Sequence, residues 1–353
     1  MDSRERVLAA LEFHPPDRIP RRDGFENGFV QRWRQAKDLP SDADPIDYYG
    51  MDLAVCVADE SFFPSKKAVL AQQADYVIEN DGWGRTIRRS ARANFQETVD
   101  CLLKDKATLD RLRFEPTDDA ARYTDLVQAV EAHHRAGRAV FVKIGGPFIR
   151  SSFIRGMETL LIDMAEDRPF CRDLFSLVGE HLLAIGLEEL RRTSVHDMGV
   201  WIYDDMAGNL GPMFSPNAFE AMLLPVYRQI VQRLKAAGCA RVLLHSDGNL
   251  TPFLDLLIEA GIAGVHPVEP KAGMDFASLH QRYRGRLAFI GGVCNSHILP
   301  RGDRGEIERH VLPIIEAGRE GGVIIGSDPV GEDVSPETYD YYIRLLESHG
   351  NYG

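Results

Sequence analysis

The feature that most constrains the fold is the alternation, from about residue 139 to the C-terminus, of short apolar segments with longer amphipathic ones. The short segments are rich in β-branched and aromatic residues, as buried parallel strands are, and several long ones begin with a hydroxyl residue followed by proline, which favours a helix start. This order predicts an α/β fold with a parallel sheet. The predicted strands are 139–144, 199–203, 241–245, 263–266, 287–290 and 322–325, and the predicted helices lie near 216–237, 252–260, 303–319 and 336–348.

Two α/β architectures satisfy this pattern, an open doubly wound sheet and a closed (β/α)₈ barrel. An open nucleotide-binding sheet usually carries a glycine-rich turn after its first strand, and neither G-x-G-x-x-G nor G-x-x-x-x-G-K-[ST] occurs in the sequence. A barrel needs about 250 residues, which 51–349 can supply if 52–57 is the first of eight strands. We therefore predict one (β/α)₈ TIM-type barrel domain over 1–353, with an N-terminal extension over about 1–50 and a decorating hairpin over 76–88.

Composition and charge exclude several classes of protein. The 353 residues carry 53 acidic and 41 basic side chains, so the formal net charge of −12 opposes binding to nucleic acid or to an anionic membrane surface. No apolar run approaches the roughly 18 residues of a membrane-spanning helix, and the N-terminus lacks the apolar core of a signal peptide. The five cysteines are scattered without a C-x-x-C pair, which favours free thiols. We expect a cytoplasmic protein with no nucleic-acid or membrane partner.

Polar residues follow the predicted strands, and in a parallel barrel such positions gather at the carboxyl end of the sheet, where active sites lie. His245 and Asp247 come after one strand, two residues apart, a spacing that suits metal ligation or an acid–base pair. The alternative is structural. His245 would then bond a backbone carbonyl, and Asp247 would stabilise a turn before the helix at Pro252.

Three further carboxylates are candidates for catalysis. Glu269 lies in a proline-flanked segment and is predicted to complete a metal site or to act as a general base, with an ion pair to Lys271 as the structural alternative. Asp204 and Asp205 follow another strand and could hold a metal or bind a pyrrole- or amine-type N–H donor. Alternation of side chains along the strand points only one of them inward. Their alternative role is to cap the segment 207–209.

The remaining candidates concern a metal and a cofactor. Asp328 follows the last predicted strand and is a candidate metal ligand, with a turn-forming role as the alternative. Gly145 and Gly146 follow another strand, where the missing side chains would let a ligand approach the backbone, although a tight turn explains them as well. Together with Asn249, these glycines are the candidate cofactor-binding residues.

The order of these motifs resembles that of the uroporphyrinogen decarboxylase superfamily. Its members are (β/α)₈ barrels and include the haem-pathway decarboxylase and cobamide-dependent methyltransferases. The resemblance covers nearly the whole chain, and it rests on segments 6–20, 83–84, 204–216, 244–249, 269–275, 289–292 and 326–337.

The resemblance is weaker to the decarboxylase branch. That branch binds the carboxylates of its tetrapyrrole with an arginine-rich stretch similar to M-R-Q-A-G-R, because guanidinium groups match carboxylates bidentately. Segment 21–27 lacks this motif and carries acids. Arg18, Arg21 and Arg22 alternate with acidic residues and are interpreted mainly as part of a mixed-charge surface, although they could still reach the barrel mouth and meet carboxylates.

The resemblance to the methyltransferase branch implies a metal site. Those enzymes hold zinc with His-x-Cys and a distant cysteine, whereas this sequence has Asp247 in place of the first cysteine and no thiol in 326–329. Zinc also accepts histidine together with carboxylates. The implied ligands are His245 and Asp247 with Glu269 or Asp328.

The function implied by the resemblance is methyl transfer between a small methoxy- or methylamine-type substrate and a corrinoid (cobalamin) cofactor. A corrinoid protein is the expected partner, because nothing in the chain resembles a complete cobalamin-binding module. One alternative is a carboxy-lyase that acts on a porphyrinogen or another carboxylated substrate, with Asp204 or Asp205 binding N–H groups. Another is a binding barrel that has lost catalysis. A homodimer is expected from base rates alone.

Overall fold

The computed structural model describes residues 1–90, 96–327 and 329–353 of the chain. Its strands, in chain order, are β1 (Leu53–Val57), β2 (Ala68–Gln72), β3 (Tyr76–Asn80), β4 (Arg85–Ser90), β5 (Gln96–Cys101), β6 (Ala139–Gly145), β7 (Val200–Tyr203), β8 (Ala207–Gly208), β9 (Gly211–Pro212), β10 (Val242–His245), β11 (Gly264–Val268), β12 (Ala288–Gly292) and β13 (Val323–Gly326). Its α-helices are α1 (Ser3–Leu11), α2 (Asn27–Ala36), α3 (Pro45–Tyr48), α4 (Thr124–Arg135), α5 (Pro147–Arg155), α6 (Met157–Glu166), α7 (Arg168–Arg192), α8 (Pro216–Met222), α9 (Leu224–Ala236), α10 (Leu254–Ala260), α11 (Phe276–Tyr283), α12 (Arg304–Ala317) and α13 (Pro336–His349).

The main sheet is parallel and has the order β1-β6-β7-β10-β11-β12-β13. Its strands are almost entirely buried because helices cover one face and the curl of the sheet covers the other. The strands predicted from the alternation are all confirmed, as is the first strand proposed at 52–57. The predicted helix near 216–237 is divided into α8 and α9, because Pro225 has no backbone N–H to continue the hydrogen-bond pattern.

The main sheet curls around an inner apolar cluster. Leu53 on the edge strand β1 and Ile324 on the opposite edge strand β13 belong to the same buried cluster as Trp201 between them. Helix α1 contributes Val7 and Ala10 to this cluster and packs near the amino-terminal ends of the strands. The architecture is therefore TIM-barrel-like.

The predicted closed barrel of eight strands is confirmed only in part, since the main sheet of the described residues contains seven strands. Segment 20–22 lies between the two edge strands. It forms a single bridge with Ile325 of β13, and the N–H of Asp52, next to β1, donates to the Arg21 carbonyl. Pro20 has no N–H to donate, so the segment is too short and too poor in donors to form a strand of its own.

A smaller antiparallel sheet has the order β2-β3-β4-β5. The predicted hairpin over 76–88 is confirmed as β3 and β4, and Gly82 adopts a positive φ in its turn, as that turn requires. The same turn carries Trp83, whose ring lies against the Arg150 guanidinium of α5 at the carboxyl end of the main sheet. The small sheet thus contributes one wall near the candidate site.

A buried ion network fastens the N-terminal segment to β1. Asp52 is fully buried and accepts hydrogen bonds from Ser3, Arg6 and Arg18 and from the backbone N–H of Arg21. The interpretation of Arg18 and Arg21 as surface residues was wrong, because the sequence alone does not show that one buried carboxylate gathers them.

Helices form the outer layer of the fold. The longest, α7, spans 25 residues and packs against β6, α5 and α9 through its buried apolar side chains. Among the described residues, no helix combines the length and the apolar character needed to cross a membrane.

Candidate metal centre

Three side chains form a row at the carboxyl ends of neighbouring strands. Tyr203 on β7, His245 on β10 and His266 on β11 are register partners across the sheet. They share the inner face with Trp201 and Leu243, because side chains two residues apart on a strand point the same way. The row therefore lies above the inner apolar cluster.

The loops that follow these strands bring two carboxylates to His245. The Nε2 atom of His245 lies 3.6 Å from Oδ1 of Asp205 and 3.7 Å from Oδ1 of Asp247. The backbone N–H of Asp247 donates to Oδ1 of Asp205 at 3.1 Å, which holds the two loops together. One ligand atom from each of the three residues lies within 4.8 Å of the others.

The imidazole of His245 is held from two sides. Its Nδ1 atom shares a hydrogen bond of 2.7 Å with Nδ1 of the buried His266, and Nε2 of His266 lies 2.8 Å from a guanidinium nitrogen of Arg22. The ring of Tyr203 stacks on the His245 ring with 4.3 Å between ring centres. These contacts fix the ring plane and direct Nε2 toward the two carboxylates, as partners of metal-ligating histidines do.

The donor set of Asp205, His245 and Asp247 fits a zinc-type ion. Two atoms bound about 2.0–2.2 Å from a tetrahedral ion lie about 3.3–3.6 Å apart, close to the separations seen here. One imidazole and two carboxylates also match the ligand chemistry that zinc accepts. Three protein donors leave a fourth position for a substrate atom, as in catalytic zinc sites.

Asp204 is placed elsewhere, although it is the neighbour of Asp205. Its buried carboxylate accepts from the N–H groups of Phe148 and Ile149, at the start of α5, and from the Tyr227 hydroxyl. Burial raises the pKa of Asp204 to about 7, although these three donors favour the charged form. The structure therefore does not bring Asp204 to the cluster, and its side chain caps α5.

Glu269 is likewise absent from the cluster of described residues. One of its oxygens accepts from the N–H of Gly248 at 2.6 Å, and the other pairs with Lys271 at 2.9 Å. The expected use of Glu269 as a ligand is corrected to this ion pair, which orders the loop after β10. Asp328, the other predicted ligand, lies outside the described residues.

The predicted cofactor-binding residues are surrounded by protein. A side chain on Gly146 would collide with Asp204, and one on Gly145 would collide with Arg150. Asn249 accepts from the N–H of Thr251 and so forms a turn before α10. The glycines thus make room for neighbouring side chains of the chain itself.

A second polar group, not predicted from the sequence, lies beside the row. Glu60, in the loop after β1, is buried and binds Lys143 of β6, Arg150 of α5 and the N–H of Gly145. Burial alone would raise the pKa of Glu60, but Arg150 and Lys143 outweigh it and hold that pKa below its usual range. Burial lowers the pKa of Lys143, and Glu60 offsets only part of this.

Glu189 of α7 lies near Glu60, and its burial predicts how the stability of the fold depends on pH. It is fully buried, Oε1 accepts from the N–H of Ala58, and burial together with Glu60 raises the pKa of Glu189 well above its usual value. The folded chain therefore keeps a proton that the unfolded chain loses above about pH 4.3. Stability should fall as pH rises from there toward the folded pKa, by up to about 1.4 kcal/mol per pH unit.

The variant Glu189→Gln, which stays neutral, should lack this contribution. Urea unfolding of both proteins from pH 4 to pH 8 should show the variant gaining stability relative to the wild type as pH rises. Parallel curves would contradict a raised pKa at Glu189.

Comparison with known proteins identifies the family. The family model for uroporphyrinogen decarboxylase (URO-D) matches residues 90–339. The chain belongs to the uroporphyrinogen decarboxylase family. This confirms the resemblance inferred from the motifs. No match was found among the curated proteins.

One solved structure agrees with the family fold. A methyltransferase from Methanosarcina mazei superposes with a TM-score of 0.71 at 14% identity, over 99% of each chain, which shows a shared fold. A sugar phosphate isomerase/epimerase from Parabacteroides distasonis reaches a TM-score of 0.33 at 9% identity, over 67% of this chain and 93% of its own length.

Within this family fold, sequence reasoning found His245 and Asp247 and the pair that contains Asp205, and it interpreted His266, which precedes Pro267, as a core or supporting histidine and not as a ligand. It missed the other supports. The signal for Tyr203 was its position at the end of the strand that flanks the His245 strand. The signal for Lys143 was a single charge inside the apolar run of β6. Arg22 and Glu60 lie outside regular elements, and their partners depend on the folded chain.

Proposed function

We propose that this member of the uroporphyrinogen decarboxylase family is a metal-dependent methyltransferase, acting between a small methoxy- or methylamine-type substrate and a corrinoid presented by a partner protein. The observation that carries the proposal is the cluster of Asp205, His245 and Asp247 at the carboxyl ends of the strands. The fold shared with the methyltransferase from Methanosarcina mazei supports it.

Each residue of the site has a role in this proposal. Asp205, His245 and Asp247 would hold a zinc-type ion, which when bound supplies a Lewis acid that stabilises the charge left on the heteroatom as the methyl group departs. His266 keeps Nε2 of His245 aimed at the cluster. The side chains of Asp205 and Asp247 are partly exposed, which leaves the site accessible to a methyl donor.

The side from which substrate and corrinoid approach the cluster follows from what lies at each end of the main sheet. Helix α1 packs near the amino-terminal ends of the strands. We further infer that segment 20–22 completes a closed (β/α)₈ barrel by joining β13 to β1. Substrate and corrinoid would then both reach the cluster from the carboxyl end, where the partner protein docks.

The carboxy-lyase alternative has less support. It relied on Asp204 or Asp205 to bind N–H groups of the substrate, and the Asp204 oxygens already accept from Phe148, Ile149 and Tyr227. Asp205 alone remains for that role. A homodimer stays a prediction from the sequence.

The proposal is tested by metal removal. Purified protein, free cob(I)alamin and a panel of methoxy and methylamine donors should yield methylcobalamin, which is followed by its absorbance. Treatment with a chelator should reduce the rate to background, and added zinc should restore it, because the ion stabilises the charge that develops on the heteroatom in the transition state. Release of carbon dioxide from a carboxylated substrate, unaffected by the chelator and without methylcobalamin formation, would favour the carboxy-lyase.

A further inference from the structure

We call Lys143 and Arg150 the cationic pair. Together with the carboxylate of Glu60, which binds both, they carry one positive charge in excess. Lys143 and Arg150 both bind the same Oε1 atom of Glu60. Another carboxyl group nearby, on Glu189, has a pKa raised well above its usual value by burial and by Glu60, which disfavours its charged form. His181 is uncharged at neutral pH, because burial lowers its pKa to about 4.

An excess charge in this position is costly, because the side chains are withdrawn from water. Those of Lys143 and Arg150 are each only 13% exposed, and Glu60 is 4% exposed. The Nε–H of Arg150 is buried and has no hydrogen-bond partner among the described residues. Buried charges are normally balanced by counter-charges, and in the described part of the chain both cations bind the same carboxylate, that of Glu60.

The location of the cationic pair connects it to the metal centre. Lys143 is on the inner face of β6, the face that Phe141 shares, and its ammonium group lies 5.3 Å from the centre of the Tyr203 ring. The same ring stacks on His245. One aromatic ring therefore separates Lys143 from the ligand His245.

Two aromatic rings lie against the guanidinium group of Arg150. The guanidinium of Arg150 lies 4.1 Å from the ring centre of Trp83 and 5.0 Å from that of Phe153. Aromatic walls favour a ligand with a flat or apolar body, while the excess charge favours one anionic group on it.

We propose that Lys143 and Arg150 bind the carboxylate of the substrate, so that the methyl donor is a small organic monocarboxylate. The assignment of a methyl group to this ligand rests on the proposed function. The assignment of its carboxylate rests only on the cationic pair. Guanidinium and ammonium groups are suited to this because they form charge-assisted hydrogen bonds with carboxylates. Glu60 holds both cations in place until the substrate arrives.

The experiment measures binding of benzoate by isothermal titration calorimetry to the full-length protein, with chelator present so that no metal contributes. Benzoate should bind at least about tenfold more tightly than benzamide, its neutral counterpart, because a charged hydrogen bond is replaced by a neutral one. Equal binding of the two probes would overturn the proposal. Tighter binding of inorganic phosphate than of benzoate would also overturn it, in favour of a phosphorylated ligand.

Variants assign the binding to the cationic pair. Lys143→Met should weaken benzoate binding about tenfold or more, whereas Lys143→Arg should retain it. Glu60→Gln should tighten binding, because it removes the carboxylate that competes for the same cations, and a purely structural role for Glu60 predicts no such gain. If Lys143→Met unfolds, the sign of the Glu60→Gln effect decides, and unchanged or weaker binding there overturns the proposal.

The result is separable from the proposed function. His134→Ala, an exposed residue near the end of α4 and outside both the metal cluster and the cationic pair, should leave benzoate binding in chelator unchanged. Charge-dependent benzoate binding together with absence of methyl transfer would reject the methyltransferase and keep the carboxylate site. Methyl transfer by a protein that binds benzoate and benzamide equally would keep the methyltransferase and reject the carboxylate site.

Discussion

Replacing His245 with alanine should remove the bound metal and reduce methyl transfer by at least about a thousandfold, since a Lewis acid contributes several kcal/mol to the transition state. His245 is the centre of the cluster, because Nε2 faces both Asp205 and Asp247. Its removal leaves two carboxylates that repel one another. The rate of methylcobalamin formation and the zinc content of the purified variant are the two measurements.

Two further variants separate metal binding from other effects of the substitution. His266→Ala should lower activity by about 10–100-fold, because His266 orients the ligand without contacting the metal itself. His134→Ala, an exposed residue near the end of α4, should change neither rate nor metal content. A fully active His245→Ala protein that folds normally would contradict the assignment of His245 as a metal ligand.

Replacing Asp52 with alanine should lower the free energy of unfolding by about 3–5 kcal/mol, the cost of removing one partner from a buried ion pair. Asp52 is fully buried and accepts from two arginines, Arg6 and Arg18, and from the backbone N–H of Arg21. Without it, both guanidinium groups and the Arg21 N–H lose a buried acceptor, and Asp17 compensates for Arg6 only in part. The loss should also loosen segment 20–22, which lies between the two edge strands.

Guanidinium chloride unfolding, followed by circular dichroism, measures this change. A matched control is Asp197→Ala, which breaks the exposed ion pair with Arg4 and should cost less than about 1 kcal/mol. Equal costs for the two variants would show that the Asp52 network does not stabilise the fold.

Most of the fold follows from local sequence patterns. The buried strands of the main sheet are apolar along their whole length, so short runs such as the one at β6 stand out between amphipathic helices. The number of strands in the main sheet does not follow from local patterns. Segment 20–22 lies beside β13 and β1 only through tertiary contacts, and three residues carry no periodicity that could predict them.

The candidate site was predicted less completely, because its geometry depends on contacts between loops. Alternation along a strand predicts that only one of Asp204 and Asp205 points inward, but which one is set by the start of α5, which takes Asp204. Glu269 has the residue type of a ligand, yet Lys271 and the Gly248 N–H occupy its oxygens. In both cases, partners distant in the sequence decide whether the carboxylate reaches the cluster.

Elemental analysis by plasma mass spectrometry tests the central claim most directly, with the wild type measured beside Asp205→Asn and Glu269→Gln. The geometry predicts about one zinc per chain in the wild type and in Glu269→Gln, and a large loss in Asp205→Asn, because an amide oxygen is a poorer ligand than a carboxylate. A wild-type protein that holds no metal and takes up none on titration, or zinc kept by Asp205→Asn and lost from Glu269→Gln, would contradict the site described here.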